Sequence, residues 1–177
     1  MDTQRLIMRR WRESDREPFA AMNADPEVME YFPKPLTRAE SDAMVDKMER
    51  RFDEQGYGLW ALEVRETGAF IGFTGLIRQT FEAPFNPSVE VGWRLAKHAW
   101  GHGYAIEAAR QVVAYGFDEV GLTEIVSMTT VSNKRSRAVM ERLGMTRDPA
   151  DDFSYPLIPE GHPLRPHVLY RLRRQSR

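Results

Sequence analysis

The chain has 177 residues, a length that suits one folded domain with one substantial hydrophobic core. Its 25 Lys and Arg residues nearly balance its 26 Asp and Glu residues, so the net charge of −1 favours neither a nucleic acid nor a membrane as partner. The absence of cysteine excludes disulfides, zinc–thiolate sites, iron–sulfur clusters and a cysteine nucleophile, and it fits a cytoplasmic location. The N-terminal segment lacks the apolar stretch of a signal peptide.

The first third of the chain predicts a strand followed by two helices. Residues 6–11 have the composition of a strand. Ser14 and Glu17 have the spacing of a capping box, which predicts the start of a short helix. Thr37 and Glu40 have the same spacing and predict the start of a longer one.

The middle of the chain predicts a hairpin, a half-buried strand and an amphipathic helix. Two strand-like segments, 57–65 and 69–78, are joined by a Thr-Gly turn, which favours a β-hairpin. Apolar and polar residues alternate over 89–95, as in a strand with one buried face. Residues 105–116 carry small and apolar side chains at helical spacing.

The last third predicts another strand and helix before a closing strand. Residues 124–131 are rich in β-branched side chains, and Asn133 is a suitable cap for the helix that follows. A loop-rich segment, 145–166, leads to a strand over 167–172. This order of strands and helices predicts a single domain over 1–177, of mixed α/β (α+β) class.

The most informative local feature is the glycine-bearing turn Trp100–Ala105 between a strand and a helix. Glycines let the backbone approach a ligand closely, and the first turn of a helix offers unpaired N–H groups and a positive dipole end. The turn therefore indicates an anion site suited to a pyrophosphate. The spacings G-x-G-x-x-G and G-x-x-x-x-G-K-[ST] are both absent, and a tight turn without a ligand stays open as an alternative.

Four motifs occur in order along the chain. They are Thr3-x-Arg5-Leu6-x-x-Arg9, Trp100-Gly101-His102-Gly103-Tyr104-Ala105, Asn133-x-x-Ser136 and Leu143-Gly144-Met145. In this order they resemble the GNAT superfamily of N-acetyltransferases, specifically the RimJ/RimL type, which is similar to ribosomal-protein N-acetyltransferases. In the family, the pyrophosphate loop has the pattern Gln/Arg-x-x-Gly-x-Gly/Ala, and here Trp100 stands at its first position, as is familiar from the RimJ/RimL type.

The resemblance implies a GNAT fold, in which a central, mostly antiparallel and splayed sheet of about seven strands is flanked by helices. It implies transfer of an acetyl group from acetyl-CoA to a primary amine, on a protein N-terminus or a small molecule. The amine would attack directly in a ternary complex. The expected partners are coenzyme A and the amine acceptor, with no nucleic acid and no membrane, and the loop-rich C-terminal segment is compatible with a homodimer.

The resemblance also implies which residues would hold coenzyme A. Backbone groups of the strand would pair with the pantetheine arm, N–H groups of the glycine turn would hold the pyrophosphate, and Asn133 would approach the pantetheine. Together these expected coenzyme A-binding residues are Trp93, Arg94, Leu95, Trp100, Gly101, His102, Gly103, Tyr104, Ala105, Asn133 and Ser136.

Direct attack requires a group that accepts the proton of the amine and a group that stabilises the departing thiolate. Glu90 lies on the central strand, on the face opposite Val91 and Trp93, and is the candidate base. Many GNAT enzymes carry a tyrosine acid where this chain has Met140, so Ser136 is the candidate for the second role. A solvated or ion-paired carboxylate and a helix-capping serine are the alternatives.

The histidines lack the spacing of a zinc motif, so no metal is expected. His167 lies beside a strand and is expected either to line the acceptor pocket or to pack at the strand end. Four aromatic residues are candidates for the acceptor wall, with core packing as the favoured alternative. They are Tyr31, Phe32, Trp60 and Phe85.

Two other functions stay open on the sequence. The missing tyrosine allows a non-catalytic protein that binds or senses acyl-CoA. A nucleotide-dependent phosphotransferase using the glycine turn is disfavoured, because the Walker lysine and a metal-binding carboxylate motif are absent.

Overall fold

A computed structural model describes residues 1–174 and contains an eight-stranded sheet with four α-helices. The strands and helices match the predicted order. They are β1 Leu6–Arg9, α1 Arg16–Ala24, α2 Arg38–Gln55, β2 Leu59–Val64, β3 Phe70–Gln79, β4 Ser88–Leu95, α3 Tyr104–Asp118, β5 Glu124–Thr130, α4 Lys134–Arg142, β6 Thr146–Arg147, β7 Phe153–Ser154 and β8 Pro166–Arg173.

The sheet has the order β1-β2-β3-β4-β5-β8-β6, and β7 also pairs with β8. All of these pairs are antiparallel except β4–β5, which is parallel. The mixed, mostly antiparallel sheet is as predicted. The sheet has eight strands, against the expected about seven. The sequence located six of them, and the other two, the two-residue strands β6 and β7, lie in the segment predicted as a loop, 145–166.

Strands β4 and β5 separate along their length. They share one paired position, Glu90 with Val126, after which no ladder between them is recorded in residues 1–174. Just beyond this pair, the Ser127 hydroxyl on β5 donates a hydrogen bond to the carbonyl of Val91 on β4 at 2.9 Å. The second half of β4 is therefore open to another partner on the β5 side.

Both predicted helices are present, and the predicted capping box is confirmed for α2 but wrong for α1. The Thr37 hydroxyl accepts from the Glu40 N–H, and the Glu40 carboxylate accepts from the Thr37 N–H, which is the predicted capping box. Ser14 caps nothing, because it lies within a 3₁₀ turn before α1. Asp15 accepts hydrogen bonds there from the Arg9 guanidinium at 2.7 and 2.8 Å, and this ion pair orients the entry to α1.

The hydrophobic core occupies both faces of the sheet. On one face, α3 packs so closely that a Cβ on Gly116 would lie 2.8 Å from the Ile125 side chain. On the other face, below α1, Phe19 lies in edge contact with Trp11 and Phe73, with ring centroids 4.7 and 6.0 Å apart. Burying each such aromatic side chain contributes about 1.5–3 kcal/mol, so the two layers fix the helices on opposite faces. Within residues 1–174, no helix is both long and apolar enough to cross a bilayer.

Candidate active site

The turn between β4 and α3 has the backbone geometry of an anion cradle. Gly101 and Gly103 have φ angles of 79° and 77°, in the left-handed region that favours glycine. The first i→i−4 bond of α3 runs from the Glu107 N–H to the Gly103 carbonyl at 3.1 Å. The N–H groups of Tyr104, Ala105 and Ile106 therefore have no partner within the helix. These donors and the helix dipole suit a pyrophosphate.

The N-terminal segment is attached to this cradle. The Thr3 hydroxyl and the Arg5 N–H both donate to Oε1 of Glu107, at 2.6 and 2.9 Å. The Arg5 guanidinium donates to the other Glu107 oxygen at 2.7 Å and to the His102 carbonyl at 2.9 Å. Desolvation raises the pKa of Glu107, but the hydrogen bonds from Thr3 and Arg5 outweigh it and lower the pKa below its ordinary value. The motif Thr3-x-Arg5 thus holds the glycine turn, a role that the sequence did not suggest.

Trp100 connects the glycine turn to the end of β4 and to α4. Its indole N–H donates to the Leu95 carbonyl at the end of β4, at 2.9 Å. The Arg135 guanidinium lies 4.0 Å from its ring centroid and also contacts Glu30 at 3.1 Å. Trp100 therefore connects β4, the glycine turn and α4, which gives a structural reason for tryptophan at this position.

Asn133 and Ser136 lie at the start of α4, beyond the open end of β5. The Asn133 side chain accepts from the Ser136 N–H at 3.2 Å and donates to the Thr129 hydroxyl at 2.9 Å, so it caps the helix as predicted. The Ser136 hydroxyl has no hydrogen-bond partner within residues 1–174. Met140 has a thioether without an ionisable proton, so it cannot serve as a proton donor, and at 1% exposure it packs in the core.

Glu90 lies where β4 and β5 separate. It accepts a short hydrogen bond from the Gln79 side chain and has no cationic partner within 4.0 Å in the described residues. Burial raises the pKa of the Glu90 carboxyl to about 7, although the hydrogen bonds from Gln79 and the Met128 N–H oppose the shift. Burial and the charge of Glu90 also raise the pKa of the Tyr155 hydroxyl. A carboxyl that titrates near neutral pH is suited to accepting a proton.

The surface beside Glu90 is open. Residues of a strand alternate between faces, so Glu90, Gly92 and Arg94 share the α1 face, whereas Val91 and Leu95 are buried on the α3 face. A Cβ added to Gly92 would meet no atom within 4 Å. The α1 face of β4 therefore provides room for a ligand next to the Glu90 carboxyl.

Core packing, the favoured interpretation of the four aromatic candidates, is confirmed for Trp60. Trp60 packs in the core between Phe52 and Tyr115, with centroids 5.1 and 5.3 Å away, so it lies on the α3 side and not at the site. Phe32 is 39% exposed and covers the Arg94 guanidinium at 4.1 Å. Tyr31 lies 6.0 Å from the guanidinium of Arg135.

A second aromatic group lies on the other side of Glu90, and the sequence did not connect its members. Phe85 contacts Phe153 at 4.9 Å, and the His167 ring stacks on Tyr155 at 4.9 Å. Burial lowers the pKa of His167, so its neutral form is favoured. His167 packs at a strand end, as one of its two interpretations held.

Two surface clefts lie beside this arrangement. One of about 340 Å³ is lined by Phe85 and by Ser88 at the start of β4, and one of about 630 Å³ lies between Met22 of α1 and Lys97. Neither is lined by Glu90, Arg94 or the glycine turn, although the first shares Phe85 with the second aromatic group.

Comparison with known proteins identifies the family. Residues 5–146 match the acetyltransferase (GNAT) domain. The chain belongs to the GNAT acetyltransferase family. It is 35% identical over 147 residues to the uncharacterized protein YkkB of Bacillus subtilis (strain 168), with 81% of this chain and 83% of YkkB covered. It is 36% identical over 138 residues to the FsC-acetyl coenzyme A-N(2)-transacetylase of Aspergillus fumigatus, covering 74% of this chain and 58% of that one.

The architecture agrees with this assignment. A GNAT-family acetyltransferase from Bacillus anthracis superimposes with a TM-score of 0.80 at 25% identity, covering 98% of this chain and 97% of that one. The protein is thus an acyltransferase with a GNAT fold. The RimJ/RimL subgroup, the cytoplasmic location and the homodimer stay predictions.

Proposed function

We propose that this GNAT protein transfers an acetyl group from acetyl-CoA to a primary amine, on a protein N-terminus or a small molecule. The observation that carries the proposal is a near-neutral carboxyl, Glu90, at the point where β4 and β5 separate, with an anion cradle at the far end of β4. The name of the Aspergillus fumigatus relative, an acetyl coenzyme A transacetylase, supports the same chemistry.

The residues of the cradle and the open strand fit coenzyme A. N–H groups from Trp100 to Ala105 would hold the pyrophosphate, and backbone groups of Trp93 to Leu95 would bind the pantetheine arm along the unpaired side of β4. Asn133 would act mainly through helix capping, since its side-chain groups are already engaged. When bound, acetyl-CoA supplies the acetyl group as an activated thioester.

Two side chains would assist the reaction, one as the proton acceptor and one as the hydrogen-bond donor to the leaving thiolate. Glu90 would accept a proton from the amine directly or through one water, and its pKa of about 7 leaves it substantially ionised at neutral pH. The Ser136 hydroxyl would donate a hydrogen bond to the departing sulfur, since no protein group engages it within residues 1–174. The amine would attack the thioester directly, and because the chain has no cysteine, no cysteine-bound acyl group would form.

The test is thiol release from acetyl-CoA in the presence of a panel of amines. Wild type should release thiol only when an amine is present, and Glu90→Gln should lower kcat by about 10²–10⁴-fold. Glu54→Gln is the matched control, because Glu54 is an exposed carboxylate of α2. Binding of acetyl-CoA without turnover on any amine would instead support the acyl-CoA sensor, which the buried Met140 keeps as the second candidate.

A further inference from the structure

Arg94 is a half-buried cation on β4, and the coenzyme A site does not use its side chain. Its Nη1 donates to the Asn23 side-chain oxygen of α1 at 2.7 Å. Its guanidinium lies 4.1 Å from the Phe32 ring centroid and 5.4 Å from that of Phe73. The side chain therefore points to the α1 face, away from the α3 start where the pyrophosphate cradle lies.

The positive charge of Arg94 has no negative partner in residues 1–174. Arg9, another arginine with little exposure, is held by Asp15 and Glu63 at 2.7 and 2.6 Å, whereas no carboxylate lies within 4.0 Å of Arg94. Nε of Arg94 is the one buried side-chain polar atom in the described residues that lacks a hydrogen-bond partner. Desolvation lowers the pKa of Arg94 to about 10, which reflects this unbalanced burial.

The unused edge of the guanidinium has the geometry of a carboxylate receptor. Asn23 occupies Nη1, and the described residues offer no acceptor to Nε or Nη2. These two nitrogens form one side of the planar fork, and a carboxylate binds such an edge with two parallel hydrogen bonds. A neutral ligand would leave the charge unbalanced.

Arg94 and Glu90 flank the same open surface. They are four positions apart along the strand, or about 13 Å between Cα atoms. Gly92 lies between them on the same face, and a Cβ at this position would meet nothing within 4 Å. A ligand lying over Gly92 can reach the Glu90 carboxyl at one end and the Arg94 guanidinium at the other.

We propose that Arg94 binds a carboxylate of the acceptor, so that the acceptor is an amine that also carries a carboxylate group. The inference rests on the proposed acetyl transfer, and it narrows the acceptor class. A polycationic amine without a carboxylate is a poor fit, because Arg94 would repel it.

The experiment compares matched acceptors that differ only in the carboxylate. The pairs are L-alanine with L-alaninamide, glycylglycine with glycylglycinamide, and triglycine with its amide, which vary the distance between amine and carboxylate. Wild type should prefer the carboxylate member of at least one pair by at least about tenfold in kcat/KM. Arg94→Gln should abolish that preference by raising the KM of the carboxylate member, so that both members of the pair are used with similar kcat/KM.

Two further variants control for loss of folding and for general charge effects. Arg50→Gln removes an exposed arginine of α2 and should retain the wild-type preference. Arg94→Lys keeps the charge but not the fork, so it should retain only part of the preference. Thermal unfolding of each variant establishes that the folded state is compared.

The outcomes separate the two proposals. Equal use of both members of every pair by wild type, or an unchanged preference in Arg94→Gln, overturns the assignment of Arg94 and leaves acetyl transfer standing. Higher KM for acetyl-CoA in Arg94→Gln with no change in acceptor preference also overturns it. No turnover of any amine overturns acetyl transfer. In that case, calorimetric binding of triglycine to the protein–coenzyme A complex, lost in Arg94→Gln, still supports the carboxylate site, and no binding overturns it.

Discussion

The substitution Glu90→Gln tests the raised pKa of Glu90 in two independent ways. With a pKa of about 7, the carboxylate fraction is about one tenth at pH 6 and about nine tenths at pH 8. If Glu90 is the base, the ratio of wild-type to Glu90→Gln kcat/KM should rise about ninefold over this range and level off above pH 8. The ratio is the appropriate quantity, because ionisation of the amine itself affects both proteins equally.

The same pKa predicts how stability depends on pH. The pKa of Glu90 is raised from 4.5 to about 7 in the folded state, so folding favours its protonated form. This contribution is fully present below pH 4.5 and is lost as the pH rises through 7. The loss amounts to at most about 3 kcal/mol, and less because Glu90 retains partial exposure. Glu90→Gln should therefore gain stability relative to wild type between pH 4.5 and pH 8, measured by urea unfolding.

If the kcat/KM ratio and the stability difference both change as the pH rises through about 7, the two measurements identify Glu90 as the titrating group. A kcat/KM ratio that stays constant from pH 6 to pH 8 would refute Glu90 as a base with a near-neutral pKa. A stability difference that does not change with pH would refute the desolvation argument, even if the substitution lowers activity.

Four further substitutions test the packing and the polar contacts of the fold. Gly75→Ala should destabilise the fold by about 1–3 kcal/mol or more, since its Cβ would lie 2.0 Å from the Gly58 carbonyl oxygen. The matched Gly92→Ala should change stability by less than about 0.5 kcal/mol in urea unfolding and instead raise the KM of the acceptor amine. Arg9→Met should cost about 3–5 kcal/mol in the same assay, because it leaves two carboxylates with little exposure unpaired. Ser127→Ala should cost about 1–3 kcal/mol, visible as a Tm lower by several degrees, because a buried β4 carbonyl loses its donor.

Local signals in the sequence predicted those parts of the fold that depend on neighbouring residues. The Thr37–Glu40 box was right because both partners lie in one helical turn and meet no competitor. The Ser14–Glu17 box was wrong because Arg9, on β1, holds Asp15 and sets the geometry before α1. The Arg9–Asp15 contact joins two separate elements, and residue spacing along the chain does not predict such a contact.

The same distinction between local signals and contacts distant in sequence applies to the candidate site. The glycine turn was recognisable because its left-handed residues and the helix start are adjacent in the chain. The attachment of Arg5 to Glu107 joins residues 102 positions apart, and the environment of Arg94 depends on Asn23, 71 positions away. Trp60 was a candidate for the acceptor wall because composition does not tell which face of a strand a residue occupies.

Binding of acetyl-CoA measured by calorimetry tests the central claim most directly, with Gly103→Glu beside wild type and Gly68→Glu as the matched control. Both glycines have left-handed φ angles, 77° and 70°, and neither added Cβ would clash, so the two variants carry the same backbone strain. Wild type and Gly68→Glu should bind acetyl-CoA, whereas Gly103→Glu should lose binding because its carboxylate lies where the pyrophosphate is held. Equal binding by all three folded proteins would contradict the assignment of the cradle, and no binding by folded wild type would contradict the use of acetyl-CoA.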